Sequence, residues 1–68
     1  MDYLEAILQK LIGQKAIETR DLMTYLGNPV GVGEHSDIGK EVEKKVSNID
    51  KLNSKIGTIQ ELLQTLNQ

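Results

Sequence analysis

The stretch that decides the fold is DIGKEVEKKVSNIDKLNSKIGTIQELLQTL, residues 37–66. Its apolar residues recur every three or four positions, as in a heptad repeat whose a and d positions form one continuous seam. The nine seam positions are Ile38, Val42, Lys45, Ile49, Leu52, Ile56, Ile59, Leu63 and Leu66. All but one are apolar, and this pattern predicts a long helix that packs as in a coiled coil.

Lys45 is the one charged residue in this seam, and Val46 beside it at position e replaces part of the lost apolar contact. If Lys45 is only a defect in the seam, Lys45→Leu should stabilise the assembly. Lysines and glutamates of mixed sign along the helix favour a solvated face with pairs such as Glu41–Lys45. The functional alternative makes Lys40, Lys44 and Lys45 a rim that faces phosphate.

Residues 2–26 also show helical spacing, with apolar residues from Leu4 to Leu26 separated by three or four positions. Gly13 is the weak point of this helix, and the sequence leaves open a bend there or a break before Glu18. Gly27 suits a left-handed helix cap.

The chain is therefore predicted to be one all-α domain, 1–68, built as an antiparallel two-helix hairpin with helices over 2–26 and 37–66. Two helices share only one interface, and both predicted apolar stripes are wider than a single seam. We expect hairpins to assemble into a homo-oligomeric helical bundle, a dimer or higher; the alternative is a marginal monomeric hairpin. The end of the second helix should overhang its partner. The predicted oligomer interface comprises Ile38, Val42, Val46, Ile49, Leu52, Ile56, Ile59, Leu62, Leu63 and Leu66.

The composition of the 68 residues excludes several function classes. With no Cys, the chain is neither a disulfide-stapled secreted protein nor a thiolate metal protein. No apolar run approaches the roughly 18 residues of a membrane span, and the acidic start is unlike a signal peptide. A net charge of -2 argues against general nucleic-acid binding. We expect a soluble, cytoplasmic protein.

The segment GNPVGVGEHS, residues 27–36, has two interpretations. Its glycines let the backbone approach a ligand, and it leads into a helix N-terminus, which favours anions. It lacks Gly-Lys-Ser/Thr, no strand precedes it, and Glu34 and Asp37 oppose an anion. It is therefore either a plain connector or a binding loop. The tentative ligand-binding set is Tyr25, Gly31, Gly33, His35, Ser36, Asp37, Lys40 and Lys44.

The sequence gives little support for metal binding or catalysis. His35 is the only histidine; with Glu34 and Asp37 it makes either a weak metal site or a pH-sensitive cap, and a solvated or loop-packing role is the plainer reading. Glu18 and Asp21, one turn apart, are typical of a solvated helix face. We expect no metal, no cofactor and no enzyme activity.

The run NPVGVGEHSDI, residues 28–38, followed by a charged heptad helix, resembles short uncharacterised accessory proteins of large tailed phages that share an N-P-V-G-V-G-E-H-x-D-I turn. The resemblance covers the loop and the second helix. It implies a phage accessory protein in the infected bacterial cytoplasm. The expected function is a non-enzymatic interaction protein that binds and inhibits a host protein. The alternative is a sponge-type binder that sequesters a small nucleotide immune signal, cyclic ones included, through the 27–36 loop.

Overall fold

The computed structural model describes residues 3–27 and 38–67, and this part of the chain consists of two helices. Helix α1 spans Tyr3–Gly27 and helix α2 spans Ile38–Leu66. The predicted helices at 2–26 and 37–66 agree with these bounds to within one residue. The all-α class and the two-helix hairpin are confirmed for the described residues.

Helix α1 is continuous. It passes through Gly13, and the break that the sequence left open before Glu18 does not occur. Gly27 is the last helical residue, and its backbone does not enter the left-handed region, so it is not the predicted cap. An interior glycine lowers helix stability by only about 1 kcal/mol, which the good helix formers on either side offset.

The two helices pack antiparallel. Glu18, in the middle of α1, contacts Lys45 and Asn48 of α2. Ile7, earlier in α1, lines a groove with Thr58, later in α2. The result is a rod with principal extents of 53 × 16 × 14 Å.

The interface between the helices is a single seam. On α1 the residues that face inward alternate in steps of four and three: Leu4, Leu8, Leu11, Lys15, Glu18, Leu22 and Tyr25. Of the described residues only Leu11 and Ile59 are buried, at 8% and 9% exposure, and the other seam residues are half-buried or exposed. Two helices alone cannot surround a side chain, so each seam residue keeps one edge in solvent.

The residues predicted to join copies of the chain divide into two groups. Seven of them are buried or half-buried along the seam with α1: Ile38, Val42, Ile49, Leu52, Ile56, Ile59 and Leu63. The other three, Val46, Leu62 and Leu66, are exposed. Most of the apolar seam of α2 therefore packs against α1 of the same hairpin. Association between copies stays a prediction, and it would have to involve other surfaces of the hairpin.

Candidate functional site

A polar cluster interrupts the apolar seam near its middle. The Lys45 ammonium donates hydrogen bonds to Glu18 Oε2 at 2.9 Å and to Asp21 Oδ2 at 3.3 Å. Asn48 Nδ2 donates to Glu18 Oε1 at 3.0 Å. Both carboxylate oxygens of Glu18 are thus engaged by α2, and the side chains of Lys45 and Glu18 are only 17% and 22% exposed.

This geometry corrects two sequence interpretations. Glu18 does not lie on a solvated face with Asp21 but points into the helix interface. Lys45 does not turn back along its own helix to Glu41; it crosses to α1. The reason is the position d that Lys45 occupies, which directs its side chain at the partner helix rather than along the surface of α2.

The cluster shifts the pKa of both charged partners. The hydrogen bond from Lys45 lowers the pKa of the Glu18 carboxyl below its ordinary value of 4.5, and Asn48 assists, although partial loss of solvent acts the other way. Lys44 adds a weaker attraction. In return, the hydrogen bond to Glu18 raises the pKa of Lys45 above 10.5, opposed by partial desolvation and assisted by Asp21. Both groups are therefore charged at neutral pH.

The sequence carries a signal for this cluster in the spacing of α1 rather than in that of α2. The four-three spacing that runs from Leu4 to Tyr25 places Lys15 and Glu18 at seam positions of α1. A charged residue in the seam of one helix, matched by an opposite charge in the seam of the other, predicts the antiparallel alignment that brings the two together. Asn48 lies one turn after Lys45 and completes the set.

One flank of the hairpin carries a shallow groove of about 360 Å³ next to the cluster. Its apolar floor is formed by Ile17 and Leu52, and Lys51 and Lys55 lie at its edge. We call this surface the lysine flank; it is lined by Gln14, Ile17, Glu18, Asn48, Lys51, Leu52 and Lys55. Ile17 is 64% exposed, so the floor is open to a partner.

The α1 part of the opposite flank is apolar. In an antiparallel pair the e positions of both helices lie on one side and the g positions on the other. The lysine flank takes the g side, with Gln14, Asn48 and Lys55. We call the apolar part of the e side, together with the b positions of α1, the aliphatic flank: Ile12, Ala16, Thr19, Met23 and Leu26 of α1, with Val46 of α2. Thr19 is half-buried and the other five side chains are exposed. Other exposed e and b positions of α2 on this side are polar, among them Glu43, Asp50, Asn53 and Gln60.

The predicted ligand site is only partly described. Gly31, Gly33, His35, Ser36 and Asp37 lie outside the described residues, so the binding loop stays a prediction. Three members of the set are described. Tyr25 is half-buried and lines a small depression with Asp21, Thr24 and Lys45. Lys40 and Lys44 are exposed on α2.

Two further observations limit the chemistry of residues 3–27 and 38–67. No group of three or more His, Asp or Glu side chains within these ranges is arranged to hold a metal ion. Neither α1 nor α2 is long and apolar enough to cross a membrane.

A comparison of the chain with protein-family models, with curated proteins and with solved structures finds no match.

Proposed function

We propose that the chain is a non-enzymatic protein-interaction module whose hairpins associate with one another and present a surface to a second protein. The observation that carries the proposal is the excess of exposed surface. A compact protein of 7.6 kDa has an accessible surface of about 4,300 Å². This chain exposes 5326 Å².

The excess, about 1,000 Å², is of the size that one partner contributes to a stable protein–protein interface, about 800 Å². Exposed large apolar side chains occur along both helices: Tyr3, Ile7, Ile12, Ile17, Met23, Leu26, Val46, Leu62 and Leu66. Contiguous exposed apolar patches mark interaction sites, and a 68-residue chain with two buried side chains among its described residues gains stability from covering such surface.

For the second protein we propose the lysine flank as the docking surface. An apolar floor with charged residues at the edge is the usual anatomy of a protein interface. Lys51 and Lys55 favour an acidic partner, such as a helix with one apolar and one acidic face. The resemblance to tailed-phage proteins makes a host protein of the bacterial cytoplasm the partner we propose to look for.

The self-association is tested by sedimentation velocity and light scattering on the purified chain at micromolar concentrations. We expect a mass of at least two chains, together with helical circular dichroism. A helical species with the mass of a single chain across that range would refute the proposal.

The partner surface is tested by affinity capture from bacterial lysate. The double variant Lys51→Glu and Lys55→Glu should lose any protein that the wild type enriches, because the charge at the groove edge is reversed. The matched control is Lys10→Glu and Arg20→Glu, which changes the net charge equally at two exposed positions that do not line the groove. Equal capture by both variants would place the partner elsewhere on the molecule.

A further inference from the structure

We propose that the aliphatic flank is the contact between two copies of the chain, with the two α1 helices packed antiparallel about a two-fold axis at Thr19. The inference rests on the proposed self-association and names the surface that carries it. The contact would turn two hairpins into a four-helix bundle.

The α1 part of this flank carries no charge. From Ile12 to Leu26 the e and b positions of α1 contain no ionisable side chain. Covering them therefore removes apolar surface from water without desolvating a charge. Ile12, Met23 and Leu26 are between 42% and 60% exposed, so each side chain has apolar surface that a second copy could cover.

The stripe is also complementary to itself. Thr19 lies midway between Ile12 and Leu26. When a second α1 runs in the opposite direction, Ile12 meets Leu26 of the other copy, and the small Ala16 lies within one residue, about 1.5 Å, of the level of the long Met23. Isologous two-fold interfaces require this kind of self-matching surface, and pairing a small with a large side chain allows close helix packing.

The two flanks also differ in charge. An isologous contact places like surface on like surface. On the lysine flank this would bring Lys51 and Lys55 against the same lysines of the second copy, which like-charge repulsion disfavours. The aliphatic flank carries no such penalty on α1, and Val46 extends it onto α2, since Thr19 and Val46 each follow one member of the Glu18–Lys45 pair.

The exposed area of the hairpin is also large enough for such a contact. It exceeds that of a compact monomer by roughly 1,000 Å². A standard interface removes about 800 Å² from each partner.

The first test compares two lysine substitutions on opposite flanks. Met23 and Ile17 are 60% and 64% exposed, both in the interior of α1. In sedimentation equilibrium we expect Met23→Lys to raise the dissociation constant of the dimer by about tenfold or more, because a charge would be placed in the contact. Ile17→Lys, the matched control, should leave the constant unchanged.

The second test measures the direction of pairing by cysteine cross-linking. The sequence contains no cysteine, so only the introduced cysteines can form disulfides. Mild oxidation should link Thr19→Cys to itself rapidly, because the two copies meet there. Leu26→Cys alone should link poorly, whereas a mixture of Ile12→Cys and Leu26→Cys should form the mixed dimer. Circular dichroism of each variant confirms that the helices are retained.

The outcomes separate this inference from the proposed function. A wild-type dimer that Met23→Lys does not weaken, or that Ile17→Lys weakens more, keeps the proposed self-association and overturns the aliphatic flank. Efficient self-linking of Leu26→Cys would show parallel pairing and overturn the two-fold at Thr19. A wild-type chain that is folded and monomeric overturns both.

Discussion

Glu18 is the most constrained polar group described in the interface, since α2 holds both of its carboxylate oxygens. A half-buried carboxylate is tolerated when its hydrogen bonds are satisfied and is costly when they are not. Lys45 in turn reaches two carboxylates on consecutive turns of α1. The contribution of the cluster to stability therefore depends on the whole set of hydrogen-bonded partners rather than on one ion pair.

Replacing Lys45 alone should destabilise the hairpin. Lys45→Leu adds an apolar seam residue but leaves Glu18 without its cation in a partly desolvated position, and the second effect dominates. We expect a lower thermal midpoint at fixed protein concentration. Adding Glu18→Leu should restore the midpoint to at least the wild-type value, because the seam is then apolar on both helices. A higher midpoint for Lys45→Leu alone would mean that the lysine is only a seam defect.

The cluster also predicts how stability depends on pH. The folded-state pKa of Glu18 is lowered, so its contribution is complete above 4.5 and is lost as the pH falls through the lower folded value. The folded-state pKa of Lys45 is raised, so its contribution is complete below 10.5 and is lost as the pH rises through the higher folded value. Thermal midpoints measured across this range should show a plateau that declines at both ends.

The control for the acid limb is a pair of glutamine variants. Glu18→Gln should flatten the decline below pH 4.5, because the group that titrates in the interface is gone. Glu61→Gln, at an exposed position of α2 outside the cluster, should retain it. Identical acid limbs for the wild type and Glu18→Gln would show that other carboxylates cause the decline.

At the scale of single residues, the sequence predicted that Lys45 interrupts the apolar seam, but not that Glu18 is its partner. Lys45 stands out within a single heptad register, which is a local pattern. Glu18 is 27 residues away, and the two meet only after the alignment of the helices is known. Helical spacing specifies which face a residue occupies, whereas alignment depends on contacts between the faces.

The two helices differ in how clearly their sequences specify a face. Helix α2 concentrates its apolar residues at a and d, so its inward face was predicted residue by residue. Helix α1 distributes apolar residues over the seam and both flanks, from Ile7 to Met23, and its polar seam residue Lys15 obscures the repeat. A helix that serves more than one interface shows a broad apolar stripe, and a broad stripe does not single out one contact.

Gly13 offers a prediction about α1. A Cβ added at this position meets nothing within 4 Å, and the residue is helical. Gly13→Ala should therefore stabilise the protein by about 0.5–1 kcal/mol, because alanine loses less backbone entropy in a helix. Urea unfolding measures the change. A loss of stability instead would indicate that a second molecule packs against Gly13.

Leu11 provides the packing prediction for the seam. It is the least exposed residue of α1, so Leu11→Ala should cost about 2–3 kcal/mol in urea unfolding. Ile17→Ala removes a similar side chain from an exposed position of the same helix and should change stability by about 0.5 kcal/mol or less. Equal losses for the two variants would contradict the observed packing of α1 on α2.

The whole molecule is a rod with little interior, and its stability should depend on protein concentration. If folding is coupled to dimer formation, mass action raises the thermal midpoint as the chain becomes more concentrated, by about 5 °C for each tenfold increase given the usual unfolding enthalpy per residue. Circular dichroism melts over a dilution series measure this. A midpoint that does not move would place all the stability within one hairpin.

The fold class of the described residues was predictable because spacing, helix formers and the loop residues all point to a hairpin. The assembly was not predictable in the same detail. Ten residues of α2 were assigned to contacts between copies, yet Leu52 and Ile59 among them pack within the hairpin. An apolar residue at a seam position indicates that another helix packs against it. It does not indicate whether that helix belongs to the same chain.

Because the chain folds back on itself, the two ends of the rod differ. Tyr3 and Leu66 lie toward one end, and Gly27 and Ile38 toward the other. A fluorophore, affinity tag or surface tether attached near Tyr3 or Leu66 would therefore be held far from Gly27 and Ile38. Immobilising the molecule by that end leaves both flanks accessible to proteins in solution.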